Sequence, residues 1–502
     1  MRNATDIRRE LEFLLRSRCP AIGMETWEEV RALRLIREVA RPLGTGRDIY
    51  TWTSGQGLKL EGRQVLGLRV PCTLSEALSA LGEQKNPAVY VFFDADLEDP
   101  TVARQIRDAT WPGDASPRSL IFVTPRLRLH PTLTRVITPL ELAPPDRVEL
   151  KTILNSVAAR CASLVGVELE LGGDAADRLA EAARGMTAAE AERAFVRVLL
   201  QVQRLSVREV PHILREKQRL FADDPLLEYV IPSESLDELG GLEVLRKWLG
   251  RRGRGFSDAA VQAGLPPPRG VLLVGMVGCG RAHAIRGAAA RWGLPLLSLR
   301  TTSLVGERDG GVARHLQSVL HRVESLAPCI LWIENLDRLF EAGSEVEGGR
   351  ASTPVSAMLQ RWLLEKESAV FVAASAENFE RLPLELLWKR AFDEVFFIDF
   401  PSSEERRQIL KVLLRRRGLL SDEINLEMLV AASEGFSGAQ IDQALVRGMR
   451  EAFDQGRPVK MVDIVQSLRK MTPMAGFMGE SRRRLRGWAH RRAMAASPVK
   501  EP

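Results

Sequence analysis

Long hydrophobic runs are missing: no stretch of the 502 residues approaches the ~20 apolar residues needed to span a bilayer. Residues 1–19 scatter Arg and Glu among their apolar positions, unlike a signal sequence, so a cytoplasmic, non-membrane protein is the expectation. Cysteine is scarce too. The five, Cys19, Cys72, Cys161, Cys279 and Cys329, lie far apart with no C-x-x-C pair. That indicates neither a zinc site nor a disulfide framework and reads as buried thiols. Charge is nearly balanced at +6, the surplus lying in Arg251-Arg252-Gly253-Arg254, in Arg415-Arg416-Arg417 and in residues 481–492. Such runs are usually solvated faces, so nucleic acid is not the expected partner, although Trp488 in the last run keeps a base-stacking alternative open.

What is present is ordinary globular composition, 45% hydrophobic and 27% charged, in a length that fits about three domains. Apolar runs at Ala88 to Phe93, Ser119 to Thr124, Gly270 to Val274, Pro295 to Leu299, Cys329 to Ile333, Ala369 to Ala374 and Val395 to Asp399 alternate with helical periodicity. This predicts α/β layers around a mostly parallel, buried sheet. Residues 179–194 match residues 429–444 without gaps; in each, a glycine (Gly185, Gly435) closes one helix and a hydroxyl residue (Thr187, Ser437) caps the next. The strand ending at Asp94 answers the one ending at Glu334, and Ser119 to Thr124 answers Ala369 to Ala374. The reading is two copies of one unit, each an α/β layer followed by helices, with a chance match of helical hairpins as the alternative. Asp223 to Ser235 is the expected linker.

The most informative absence is local. Gly275-Met276-Val277-Gly278-Cys279-Gly280 follows an apolar strand and opens a helical run, the context of a G-x-x-x-x-G-K-[ST] phosphate loop, yet Arg281 and Ala282 stand where Lys and Ser or Thr belong. Backbone N–H groups of such a turn converge on an anion. Arg281 keeps the charge in a longer, forked form; Ala282 offers Mg²⁺ no oxygen. A tight turn needing glycine only for geometry is the bland alternative. Downstream, the strand Cys329 to Ile333 ends in Glu334-Asn335, where Glu334 is the candidate Mg²⁺ ligand and neutral Asn335 cannot act as a base. Glu334 and Asp337 as plain solvent-facing residues are the competing reading.

Taken together, S-L-D-E-L-G-G-L at Ser235, P-P-R-G-V-L-L-V-G, P-C-I-L-W-I-E-N-L-D, the stretch from Leu382 to Pro401 and E-G-F-S-G-A-Q-I resemble a AAA+ ATPase, specifically the AAA-domain proteins of the hypothetical chloroplast reading-frame type common in cyanobacteria. The resemblance spans nearly the whole chain. It implies a P-loop-type parallel sheet with a helical lid, preceded by a degenerate copy of the same α/β plus helical unit. The expected organisation is a degenerate α/β module without a phosphate loop over 1–160, a helical module over 161–225, the AAA+ core over 235–400, a lid over 401–475 and a basic C-terminal tail over 476–502.

The resemblance also implies roles. Gly240 and Gly241 line an adenine pocket; Gly275 to Ala282 face phosphates; Glu334, Asn335, Glu377 and Arg390 occupy degenerate catalytic positions. Ser375-Ala376-Glu377 replaces the sensor asparagine, with Asn378 one place late, and Trp388-Lys389-Arg390-Ala391-Phe392 lacks both arginines that such proteins offer to a neighbouring subunit. Leu304-Val305-Gly306 carries no aromatic pore residue. The leading expectation is an impaired AAA+ module for assembly or regulation, binding ATP or ADP weakly, with Mg²⁺ binding suffering most, in a homo- or hetero-oligomer with AAA+ modules. A slow but active ATP-hydrolysing remodeller and a nucleic-acid-associated module are the alternatives.

Overall fold

A computed structural model describes residues 4–40, 48–60, 63–64, 71–81, 87–111, 118–162, 168–222, 224–232, 234–304, 310–340, 345–346, 349–350, 354–387, 391–421, 424–477 and 479–498. The chain divides into two compact units, 1–216 and 217–502.

The first unit is built on β1 (Ala21–Glu25), β2 (Asp48–Thr53), β3 (Gly57–Leu60), β4 (Arg63–Gln64), β5 (Ala88–Phe93), β6 (Arg118–Thr124) and β7 (Ile137–Glu141), in the order β4-β3-β2-β5-β6-β1-β7. Neighbours from β2 through β7 run parallel, and β3 and β4 add an antiparallel edge. The central strand β5, Ala-Val-Tyr-Val-Phe-Phe, is buried at every position, which is why it reads as an unbroken apolar run. Helices Arg147–Cys161, Ala175–Ala182 and Ala188–Val202 follow, with a short parallel pair, β8 (Glu168–Leu169) and β9 (Arg204–Leu205). The helical part therefore starts at Arg147, earlier than the sequence boundary at 161, because Asp146 and Glu149 form a capping box that opens a new helix there.

The second unit contains β10 (Leu227–Val230), β11 (Gly270–Gly275), β12 (Leu296–Leu299), β13 (Cys329–Ile333), a small hairpin of β14 (Glu345–Val346) and β15 (Gly349–Arg350), then β16 (Val370–Ala376), β17 (Glu394–Ile398) and β18 (Met494–Ala495). Its sheet runs β10-β12-β13-β16-β11-β17-β18, all parallel except the β10–β12 edge. Part of the expected linker is thus an edge strand: Leu-Glu-Tyr-Val alternates buried and exposed positions and pairs Leu227 with Leu299.

The duplication is legible in the topology. Taken in chain order, the first unit's parallel strands lie 2-3-4-1-5 across its sheet (β2, β5, β6, β1, β7), and the second unit's lie in the same order (β12, β13, β16, β11, β17). Both helical halves repeat as well. Gly185 and Gly435 are left-handed at φ 81° and 74°, and Thr187 and Ser437 cap the following helices by accepting the Glu190 and Gln440 N–H groups. Even the backbone after the third strand agrees, with Asp94 at φ 50° and Asn335 at φ 52°, residue types that tolerate this region.

The lid comprises helices Ser403–Arg416, Leu426–Ala432, Gly438–Asp454 and Met461–Arg469 around Leu410, Leu414, Leu429, Phe436 and Ile441. Within the stretch expected as a basic C-terminal tail, residues 479–492 and 494–495 form regular structure. Helix Gly479–Arg492 leads into β18, which extends the sheet beside β17.

Candidate phosphate-loop site

The turn after β11 leads into helix Arg281–Trp292, whose first residue follows Gly280 at φ 93°. Each loop glycine has a packing reason of its own. A Cβ on Gly275 (φ 152°) would lie 2.0 Å from the Ile398 carbonyl oxygen of β17, and one on Gly278 (φ 73°) 2.9 Å from Ser437 Oγ. Gly280 is hemmed by Leu242, 3.3 Å from a Cβ there. Close strand and lid packing therefore accounts for part of the glycine signature that sequence reasoning assigns to phosphate. The Met276 N–H is spent on Ile398 O at 2.9 Å, and Val277 is half-buried. Cys279 is buried beside it, and that burial, with Asp399 nearby, pushes its thiol up to about 12.

Arg281 decides the character of the site. Its side chain is buried, its Nη1 donates to the Ala376 carbonyl at 3.3 Å, and its Nη2 lies 3.7 Å from Glu377 Oε1. The cation at the lysine position is thus committed to the end of β16. Glu377, expected among the catalytic positions, is brought to the loop as the partner of Arg281. Asp337 is 2% exposed and holds this corner, accepting the Glu377 N–H at 3.3 Å and the Asn378 N–H at 3.0 Å. It is no solvent-facing residue. Asn378 caps the short turn Phe379–Arg381 through Glu380 N at 3.0 Å, a structural use of the side chain.

Asn335 donates its N–H to Ser375 Oγ at 3.0 Å, while its own Oδ1 is buried without a hydrogen-bond partner. Ser375, at the start of the stretch that replaces the expected sensor asparagine, is fully buried; its contact with Asn335 depends on β13 and β16 being neighbours, which 40 residues of separation conceal. Glu334 is exposed, and its backbone carbonyl accepts from Thr301 Oγ1 at 3.0 Å. Among the described residues no group of three or more His, Cys, Asp or Glu is placed to hold a metal ion. Arg390, with Trp388 and Lys389, lies outside the described residues, as do Val305 and Gly306.

Gly240 and Gly241 do border the loop, but their backbone faces the lid. A Cβ on Gly240 would sit 2.6 Å from Ile409 N, Gly241 N donates to Gln408 Oε1 at 3.0 Å, and Leu242 N donates to Glu405 Oε1 at 3.1 Å. The lid also touches the loop directly, Ala439 N donating to Gly278 O at 3.0 Å. From the other end, Ala496 O accepts Val244 N and Leu245 N at 3.0 and 3.1 Å, and Ser497 Oγ reaches Glu405. Three arginines of the C-terminal helix pair with acids of the same unit, and its tryptophan is buried. Arg482 and Arg486 bind Asp399 at 2.8 and 2.6 Å, Arg484 binds Glu380 at 2.7 Å, and Trp488 is buried, stacked 4.3 Å from Phe379. Trp488 is therefore not exposed for stacking on a base.

Comparison with known proteins fits this architecture. Residues 7–142 match the family model of the SpoVK-like AAA ATPase N-terminal domain, residues 148–224 its second domain, and residues 271–400 the ATPase family associated with various cellular activities (AAA). The uncharacterized AAA domain-containing protein ycf46 of Trieres chinensis is 30% identical over 485 residues, covering 96% of each chain. The chain belongs to the AAA ATPase family. The counterpart in Guillardia theta is similarly 30% identical over 485 residues, 96% of this chain and 94% of that protein. A relative with less coverage is the ATP-dependent zinc metalloprotease FtsH of Thermus thermophilus, 30% identical over 205 residues, 40% of this chain and 33% of its own. Among the described residues no helix is long and apolar enough to cross a membrane.

Proposed function

We propose that this chain is a AAA module retained for assembly or regulation, whose second unit binds ATP or ADP weakly and hydrolyses ATP little. The observation that carries the reading is the placement of Arg281. Its guanidinium is buried against Ala376 O and Glu377, so phosphate must compete with an internal carboxylate for the one cation of the loop. Other losses point the same way. Ala282 has no oxygen for Mg²⁺, Glu334 is the one acid at the strand end and faces solvent, and Asn335 is neutral where water would need a base. These donors do not fit a resident Mg²⁺ ion. The fold itself supports residual nucleotide contact, and the Thermus relative is named an ATP-dependent protease. A ring or mixed assembly, with neighbouring AAA modules supplying hydrolysis, is the setting we assign to such a module.

The test is steady-state phosphate release by purified protein, run beside a Gly280→Asp variant to expose contaminating ATPase, together with calorimetry using ADP and an ATP analogue with and without Mg²⁺. We expect turnover close to background and weak binding that changes little on chelation. Release at about 1 s⁻¹ or above, the ordinary enzyme range, sinks the proposal.

A further inference from the structure

Both copies of the fold join their helical half to the sheet at the same point, but with different chemistry. In the second unit the loop after β11 meets the start of helix Gly438–Asp454, Gly278 O accepting the Ala439 N–H at 3.0 Å. In the first unit the corresponding connection after β1 is only Thr26-Trp27-Glu28, and the repeat makes Ala188–Val202 the corresponding helix. Here the contact is a carboxylate. Glu28 Oε1 accepts the N–H of Ala188, the first residue of that helix, from 160 positions away in sequence. Glu28 Oε2 accepts from Arg31 Nη1 at 2.8 Å, and Arg31 continues to Glu149 Oε2 at 2.7 Å and to the Ala143 carbonyl. Glu28 N–H closes on Thr26 Oγ1 at 3.1 Å.

The Glu28 side chain is 6% exposed and that of Arg31 14%, so this is a built interior site and no surface pair. Burial raises the Glu28 carboxyl above its ordinary range, opposed by the Ala188 N–H and by Arg31, with Glu149 adding to the rise. A desolvated anion at a helix N-terminus, facing a planar guanidinium, is the arrangement that this kind of junction offers to phosphate oxygens. We propose that Glu28 is a built-in anion ligand: its carboxylate fills the anion position of the first unit and fastens helix Ala188–Val202 to the sheet with no nucleotide. The first unit is then held permanently in a liganded form and takes up no phosphate compound of its own. This inference concerns the first unit alone and stands independently of how the second unit handles ATP.

The experiment uses the full chain with Glu28→Ala, read by hydrogen exchange of peptides within 186–202 and by the temperature at which first-unit peptides lose protection. Sodium formate serves as the replacement anion and sodium chloride at equal ionic strength as the control. The variant should lose protection at the first turn of helix Ala188–Val202 and melt lower by about 5 °C or more, as expected when one partner of a buried ion pair is removed. Formate should restore part of both losses, chloride should not, and the wild type should respond to neither. An exchange pattern equal to wild type, or equal effects of formate and chloride, overturns the proposal. Should Glu28→Ala fail to fold, Glu28→Gln keeps an oxygen for Ala188 N–H but presents no charge to Arg31. It should fold with near-native protection at that turn and a lowered melting temperature, and wild-type stability in this variant overturns the proposal equally.

Discussion

Rebuilding the phosphate loop tests the reading of the second unit most directly. Arg281 is held by a 3.3 Å hydrogen bond to Ala376 O and a 3.7 Å ion pair with Glu377, whose side chain is 36% exposed. Both contacts are long. A charge-assisted hydrogen bond contributes roughly 1.5–3 kcal/mol at good geometry and less here, and a partly exposed ion pair adds about 0–1 kcal/mol. Phosphate must therefore overcome a hold of about 1–3 kcal/mol, or about one to two decades of affinity, before the guanidinium turns toward it. Arg281→Lys removes the fork that reaches both acceptors, and Ala282→Thr adds a hydroxyl for Mg²⁺. Calorimetry of the double variant with ADP and a non-hydrolysable ATP analogue should show affinity raised at least tenfold, a gain of about 1.4 kcal/mol. The new affinity should fall on chelation of Mg²⁺. Turnover should stay low, since Asn335 still cannot draw a proton from water. An unchanged affinity in a folded double variant refutes the reasoning; the turn from Gly275 to Gly280 would then exist only to pass β17 and the lid.

Three further outcomes follow from buried groups. Burial, with Arg269 nearby, lowers the Lys366 ammonium to about 8, below its value in the unfolded chain, while Nζ donates to Val370 O at 2.7 Å. The unfolded state thus binds more protons between about pH 8 and 10.5, so this group's contribution should raise stability across that window by about 3 kcal/mol, and urea unfolding of Lys366→Met should lose that slope. With its thiol pushed up to about 12, Cys279 should resist alkylation at neutral pH and react readily in urea, as peptide mapping would report; fast labelling of native protein contradicts the buried loop. Trp488→Ala should cost about 3–5 kcal/mol in urea unfolding, whereas a loss under ~0.5 kcal/mol would mean that helix Gly479–Arg492 is only a solvated tail.

The sheet strands were the most readable part of the sequence because strands buried on both faces are continuous apolar runs, as in Cys329–Ile333. The duplication was readable because caps are local: Thr187 with Glu190 and Ser437 with Gln440 announce their helices within four residues. What escaped notice depends on separation. Ser375 meets Asn335 across 40 residues, and Arg281 meets Ala376 across 95. Neither pairing has a local signature. Glu28 was equally silent, since Thr-Trp-Glu matches no phosphate motif and its partner lies on the far side of the unit's sequence. The partners of the arginines in helix Gly479–Arg492 were hidden for a related reason. Arginine density describes composition, whereas Asp399, just past β17, and Glu380, in the turn Phe379–Arg381, pair with Arg482, Arg484 and Arg486 from 80 or more residues earlier.

The two-residue strand β18 has a consequence for the order of events during synthesis. β17 is flanked by β11 on one side and by Met494 and Ala495 on the other, and Ala496 also supplies the carbonyl that anchors Val244 and Leu245. Nascent chains acquire structure from the N-terminus as they emerge at about 5–20 residues per second. The first unit can therefore assemble while the ribosome is still working. The AAA unit waits with one flank of β17 unpaired, and with the start of helix Glu243–Arg252 lacking its acceptor, until residues 494–496 arrive. An open strand edge is a template for pairing between chains. Until residues 494–496 dock, that edge is open to pairing between chains.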